Sequence, residues 1–214
     1  MKFFIRLICL TFIVAIITGC GSKKSGVYNL PPHAWYEQIS KDIRDGNLKA
    51  ANEHYMQFSS EHISSPLLEP TLLILAQSNI HNHKYMEANE YLNQYIRRYG
   101  TREKIEYATF LKIKANYESF KRPNRNQNLI KHSINEINNF LINYPQTQYR
   151  PLAETMLIKF KLAEFYLDQN IQDLYERTDR NISAKVYEEK IQNSKLKDAN
   201  LVPPQLPWYR AFFE

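Results

Sequence analysis

The residue best placed for covalent chemistry is Cys20, which follows Ile17-Thr18-Gly19 and precedes Gly21-Ser22-Lys23-Lys24. Small side chains ahead of a cysteine let a peptidase take the backbone as an extended segment. The thiolate is the nucleophile that receives diacylglycerol, and the amine freed by cleavage can then be acylated. This spacing is that of a lipobox. Lys2 and Arg6 supply a positive start, and residues 7–17 form an apolar run of signal-peptide length. That run is shorter than the roughly 20 apolar residues that span a bilayer. Residues 1–19 are therefore expected to be a signal peptide, and Cys20 the lipid-bearing first residue of the mature chain. Two or three acyl chains anchor a protein stably where one binds marginally. Asp after the lipidated Cys favours inner-membrane retention in diderm bacteria. Gly21 stands there, so the outer membrane is the expected destination.

No other residues form a reactive set. The chain has no Gly-x-Ser-x-Gly, P-loop, dinucleotide fingerprint or His-Glu-x-x-His. His81-Asn82-His83 invites a metal reading, but imidazoles two residues apart on a helix face different ways, and the segment reads as an inter-helix turn. No catalytic residue, no metal and no cofactor beyond the lipid on Cys20 is expected, and the chain is read as a non-enzyme. Of the two cysteines, Cys9 leaves with the signal and Cys20 is acylated, so no disulfide forms in the mature chain. About 195 mature residues must then supply an apolar core. The net charge of +6 suits an acidic surface or partner. A nucleic-acid partner is discounted, because a lipoprotein facing the periplasm rarely meets one.

The elements that carry any binding surface are helical. Residues 20–30 read as a lipidated start and a short linker. Pro31-Pro32 ends it and can open a helix. From residue 31 to 192 strand alternation is absent, and only Gly46 and Gly100 interrupt a helical apolar spacing such as Leu72-Leu73-Leu75-Ala76-Ile80. The turn at Asp45-Gly46-Asn47, followed by Leu48 and Ala51, recurs about 37 residues on at His83-Lys84-Tyr85, followed by Ala88. This resembles the tetratricopeptide (TPR) repeat, a helix-turn-helix unit of about 34 residues. Its packing positions fall on Trp35, Ala51, Tyr55 and Phe58, then on Leu72, Ala88, Leu92 and Tyr95. A third pair is expected near 102–119 and 127–144, split by the basic loop at Lys121-Arg122. A fourth is expected from 148 to 168, or on to 178, and at 181–192. The fold expected is all-α: a TPR-like helical-hairpin solenoid of about four units, with an extended, Pro-rich aromatic tail over 193–214.

The lipobox, the linker Tyr28-Asn29-Leu30-Pro31-Pro32, Trp35-Tyr36-Glu37 and the TPR-like pairs are together similar to the outer-membrane-protein assembly lipoproteins of the BamD (ComL) family. Glu106-Tyr107-Ala108-Thr109-Phe110-Leu111-Lys112 and Asn143-Tyr144-Pro145-Gln146-Thr147-Gln148-Tyr149 resemble two further family segments, and Lys161-Leu162-Ala163-Glu164 fits the long fourth-unit helix. The resemblance covers roughly residues 17–192. It implies a scaffold on the periplasmic face of the outer membrane. The implied partners are the periplasmic domains of the barrel insertase BamA and the aromatic C-terminal signals of unfolded outer-membrane proteins. This chain departs from the family in having no fifth unit. Its first two units also end at Glu61-His62-Ile63 and Arg98-Tyr99-Gly100 in place of Tyr-Pro.

A solenoid offers a concave groove to an extended peptide. Tyr36, Ser40 and Ile43 sit one step round their helix from buried Trp35, and the equivalent second-unit positions are Leu73, Gln77 and Ile80. These six are the groove candidates. Trp208, Tyr209, Phe212 and Phe213 in the tail are candidates for docking a partner, the plainer reading being a cap on the last repeat. Another lipoprotein scaffold, in pilus or secretin biogenesis or envelope organisation, is the alternative function. A peptidoglycan-remodelling enzyme or its regulatory subunit would need a polar catalytic cluster, and none is visible.

Overall fold

The computed structural model describes residues 28–120 and 127–198. Every described helix lies in the unit of residues 32–214. The signal peptide, Cys20, the loop at Lys121-Arg122 and the tail aromatics from Trp208 onward lie outside the described residues. Among the described residues there are eight helices and no strand. They are α1 (Pro32–Arg44), α2 (Leu48–Glu61), α3 (Leu68–His81), α4 (Tyr85–Tyr99), α5 (Arg102–Ser119), α6 (Gln127–Asn143), α7 (Arg150–Arg177) and α8 (Asn181–Gln192). The expected four pairs are present. The last long helix runs to Arg177, the longer of the two extents that its apolar spacing allowed.

Consecutive helices pack as hairpins, α1 on α2, α3 on α4, α5 on α6 and α7 on α8. Each second helix also packs on the first helix of the next pair, and α1 touches α3 as α5 touches α7. First helices therefore line up on one side and second helices on the other, as a solenoid requires. The periodicity sets what each helix buries. In α2, Leu48, Ala51, Tyr55 and Phe58 form one stripe, and in α4 Ala88, Tyr91, Leu92 and Tyr95 repeat it. α3 has neighbours on both flanks and buries Leu68, Thr71, Leu72, Leu75, Ala76, Asn79 and Ile80. Ala51 and Ala88 have no exposed surface, so a larger side chain at either would force close-packed helices apart. Trp35 is fully buried too, and its indole Nε1–H donates to Glu61 Oε2 at 2.8 Å.

Three hairpin turns share one backbone solution. In the first, the amides of Gly46 and Asn47 bond back to the carbonyls of Ile43 and Asp42. In the second, His83 and Lys84 bond back to Ile80 and Asn79, and in the fourth, Asp179 and Arg180 bond back to Glu176 and Tyr175. Each is a Schellman cap whose penultimate residue must be left-handed. Gly46, His83 and Asp179 have φ of 73°, 60° and 56°. Asn82 and His83 thus form the inter-helix turn, and His81 is the last residue of α3.

The junction between pairs is also repeated. After α6, the Thr147 amide bonds to Tyr144 O, the Thr147 hydroxyl accepts from the Tyr149 amide at 3.2 Å, and the Arg150 amide bonds to Thr147 O. After α2, the Ser65 amide bonds to His62 O, the Ser65 hydroxyl accepts from the Leu67 amide at 3.3 Å, and the Leu68 amide bonds to Ser65 O. The first unit therefore makes the same turn without a Tyr-Pro ending. The hydroxyl at Ser65 and Thr147 closes it, not the proline.

Candidate functional site

Two abutting clefts lie along the side formed by the first helices. One, of about 440 Å³, runs between α1 and α3. Tyr36, Ile43 and Ile74 give it apolar walls, Ser40, Gln77 and Ser78 add polar ones, and Arg44, His81 and Asn82 stand at the helix ends. The second, of about 400 Å³, runs between α3 and α5 and is lined by Ile80, Tyr107, Phe110 and Leu111 with Lys114 and Glu118. Gln77 and His81 border both. Gln77 also ties the helices together, its Nε2–H donating to the Tyr107 hydroxyl at 2.9 Å. Beyond Phe110 the aromatic surface continues into the start of the fourth pair, where Tyr149 stacks on Phe110 with ring centroids 4.2 Å apart.

Four of the six groove candidates, Tyr36, Ser40, Ile43 and Gln77, line the α1–α3 cleft. Leu73 is half-buried and does not line it, and Ile80 is buried beside Ala88 and Ala115 and reaches only the α3–α5 cleft. The reason is geometric. In a stacked array each first helix turns one flank to the unit before and the other to the unit after. Of the positions equivalent to Tyr36, Ser40 and Ile43, Gln77 and Ile80 therefore line the next cleft along, and Leu73 lines neither. The flank of α3 that faces α1 is the row Ile74, Gln77, Ser78 and His81, of which sequence reasoning found only Gln77. The missed row was accessible as the i, i+3, i+4, i+7 series that starts at Ile74 and contains Gln77.

A third cleft, of about 660 Å³, lies on the opposite side between α2 and α4. Its centre is tied shut by polar bridges. The Tyr91 hydroxyl donates to Asn52 Oδ1, and the Tyr55 hydroxyl reaches Gln94 at 3.5 Å. Burial pushes the Tyr91 phenol up to about 12, with the neighbouring Tyr55 and the carboxylates of Glu90 and Glu87 adding to it. Lys49, Lys84, Glu87 and Glu90 line this cleft, so it carries both signs of charge.

Among the described residues no group of three or more His, Cys, Asp or Glu is placed to hold a metal ion. His83 Nδ1 instead lies 2.8 Å from the Tyr85 hydroxyl. Among the described residues no helix is long and apolar enough to cross a membrane. Asp42 Oδ2 lies 2.6 Å from His54 Nδ1 in the first hairpin, where His54 packs against the Trp35 ring.

A protein-family model described as an outer membrane lipoprotein, YfiO, matches residues 29–196. The sequence is also similar to the outer membrane protein assembly factor BamD of Helicobacter pylori. The two are 35% identical over 217 residues, spanning 100% of this chain and 99% of that one.

Proposed function

The chain belongs to the outer membrane lipoprotein family of BamD, and on that footing we propose that it works in the assembly of β-barrel proteins into the outer membrane. Members of this family are scaffolds and not enzymes. The observation that carries the proposal is similarity to an assembly factor along the whole chain. The finer reading has three parts. Cys20 holds the lipid that anchors the chain at the periplasmic face. A BamA-like barrel insertase is the partner that the scaffold holds. The clefts along the first helices receive extended segments of unfolded outer-membrane proteins. The last part is supported by Tyr36, Ser40, Ile43 and Gln77 meeting in one cleft whose walls mix apolar and hydrogen-bonding groups, as a bound main chain with alternating side chains requires.

Affinity purification from membranes tests the scaffold role. Tagged wild-type chain should fractionate with the outer membrane and bring down a β-barrel protein with periplasmic domains. The Cys20→Ala variant should accumulate unprocessed or leave the outer-membrane fraction. Recovery of a secretin in place of the barrel protein would overturn the scaffold assignment. A Cys20→Ala chain still cleaved and firmly in the outer membrane would overturn the anchor.

A further inference from the structure

We propose that residues 199–214 fold back along the outer face of α8 and close the last pair of the solenoid, with the tail aromatics covering Ile182, Val186 and Leu174. Trp208, Phe212 and Phe213 are then the terminal cap of this chain's own core and not a site for another protein.

Three observations point to this cover. First, α8 is left open where its counterparts are closed. Helices α2, α4 and α6 each bury four side chains, because each packs on the first helix of its own pair and on that of the next. α8 buries only Ala184, and no described helix follows it. It holds its own pair through Tyr187, which packs on Tyr175 with ring centroids 5.8 Å apart, and through Lys190, whose ammonium lies 2.8 and 2.7 Å from the two carboxylate oxygens of Asp168. Ile182 and Val186 lie one turn apart on the other side of the helix and are 85% and 60% exposed. Leu174, in the last turn of α7, is 48% exposed. One exposed aliphatic is ordinary, but three on the two helices that end the array form the open apolar end that a solenoid must close.

Second, the chain carries a segment of matching chemistry. From Leu201 onward only Arg210 and Glu214 are charged, and Trp208, Tyr209, Phe212 and Phe213 follow closely on one another. A segment that stays in solvent is rich in charge and poor in aromatics, and this one has the opposite composition. Third, its starting point and length fit. The described chain ends at Asp198, beyond Gln192, the last residue of α8, so the segment starts from the end of α8 farther from Ile182 and Leu174. The 12 residues of α8 are about 18 Å long. Residues 201–207 as an extended polyproline run cover roughly 20 Å, which brings Trp208 level with Ile182. Pro203, Pro204 and Pro207 carry no amide hydrogen, so they can lie against a helix without leaving a donor unpaired.

One effect opposes docking, the conformational entropy lost when the segment is ordered. The prolines lower that cost, because their φ is fixed in the free chain as well.

The test compares four chains: the full mature chain, the chain ending at Asp198, and each of these carrying Ile182→Gln with Val186→Gln. Both positions are exposed and glutamine is a good helix former, so the pair removes no contact among the helices. Ending the chain at Asp198 should lower the melting temperature by about 4 °C. Amides of α8 should then exchange faster with solvent, while those of α1 and α2 stay as they were. The glutamine pair should cost the full chain a comparable shift and the shortened chain nothing. A shortened chain that melts with the full one would overturn the cap and leave the tail aromatics to an outside partner. A glutamine pair that costs both chains equally would overturn the contact with α8. A full chain that sediments as a dimer, with the shortened chain a monomer, would give the face to a second copy and overturn the fold-back.

Discussion

Two tyrosines give the fold a measurable pH limit. Tyr95 donates its hydroxyl to Glu69 Oε1 at 3.2 Å, and Glu69 also takes the Lys104 ammonium at 2.6 Å. Burial first, and then the Glu69 charge and its hydrogen bond, push the Tyr95 phenol up to about 12, where Tyr91 also stands. An unfolded tyrosine titrates near about 10. Below that value both states hold the proton and the contribution of these phenols is fully present. Between about 10 and about 12 the unfolded chain ionises first, so stability is lost as pH rises through that window. Thermal melts from neutral pH upward should show a decline setting in near about pH 10. Tyr91→Phe and Tyr95→Phe together should make that decline shallower, and a double variant that falls as steeply as wild type would contradict this account. The residues of the core were legible in the sequence because burial follows the repeat. Trp35, Ala51, Tyr55, Phe58, Leu72, Ala88, Leu92 and Tyr95 are all buried where the TPR pattern puts them. The bridges that hold their polar ends were not legible. Tyr95 meets Glu69 across two helices, and no local spacing encodes such a pair.

At the scale of the element, the turns set where one helix of a pair ends and the next begins. The Schellman cap after α1 uses Gly46 at φ 73°, and a Cβ added there would meet nothing within 4 Å. A Gly46→Ala change therefore isolates the backbone cost of a left-handed residue, about 1–2 kcal/mol. Urea melts should register a loss of about 1 kcal/mol, since alanine also restricts the unfolded chain and returns part of the cost. An unchanged midpoint would mean that the cap relaxes out of the left-handed region at no cost. The match of Gly46 to His83 was visible in the sequence as a shared turn position, although only one of them is a glycine. The junction turn was less visible. Ser65 and Thr147 close it with a hydroxyl, while the feature that catches the eye is Tyr144-Pro145, which the first unit lacks. The groove rows failed for a similar reason. Periodicity says which residues share a face of α3, but both its flanks are in contact, and only the stacking order tells which flank meets α1.

At the scale of the whole molecule, the described helices form four stacked pairs that present aromatic and hydrogen-bonding clefts along one side. The core of the second half, built on Phe110, Ile130, Ile137, Phe140 and Phe160, joins α5, α6 and α7. Burial thins toward the end of the described chain. α8 buries only Ala184 and leaves Ile182 and Val186 exposed. The repeat architecture was readable from spacing alone, because every unit had to show an apolar stripe and a turn. The assembly role was not readable from spacing, since a solenoid scaffold carries no reacting group to recognise. It came from the segments shared with a family, and its central claim concerns what happens to other proteins when this one is missing. The most direct measurement is depletion of the chain in its own bacterium, with the folded and unfolded fractions of a major outer-membrane β-barrel followed by heat-dependent gel mobility. The account predicts that the folded fraction falls severalfold as the chain disappears and that re-expression of the lipidated chain restores it. Normal amounts of folded barrel in the outer membrane after the chain is gone would contradict it.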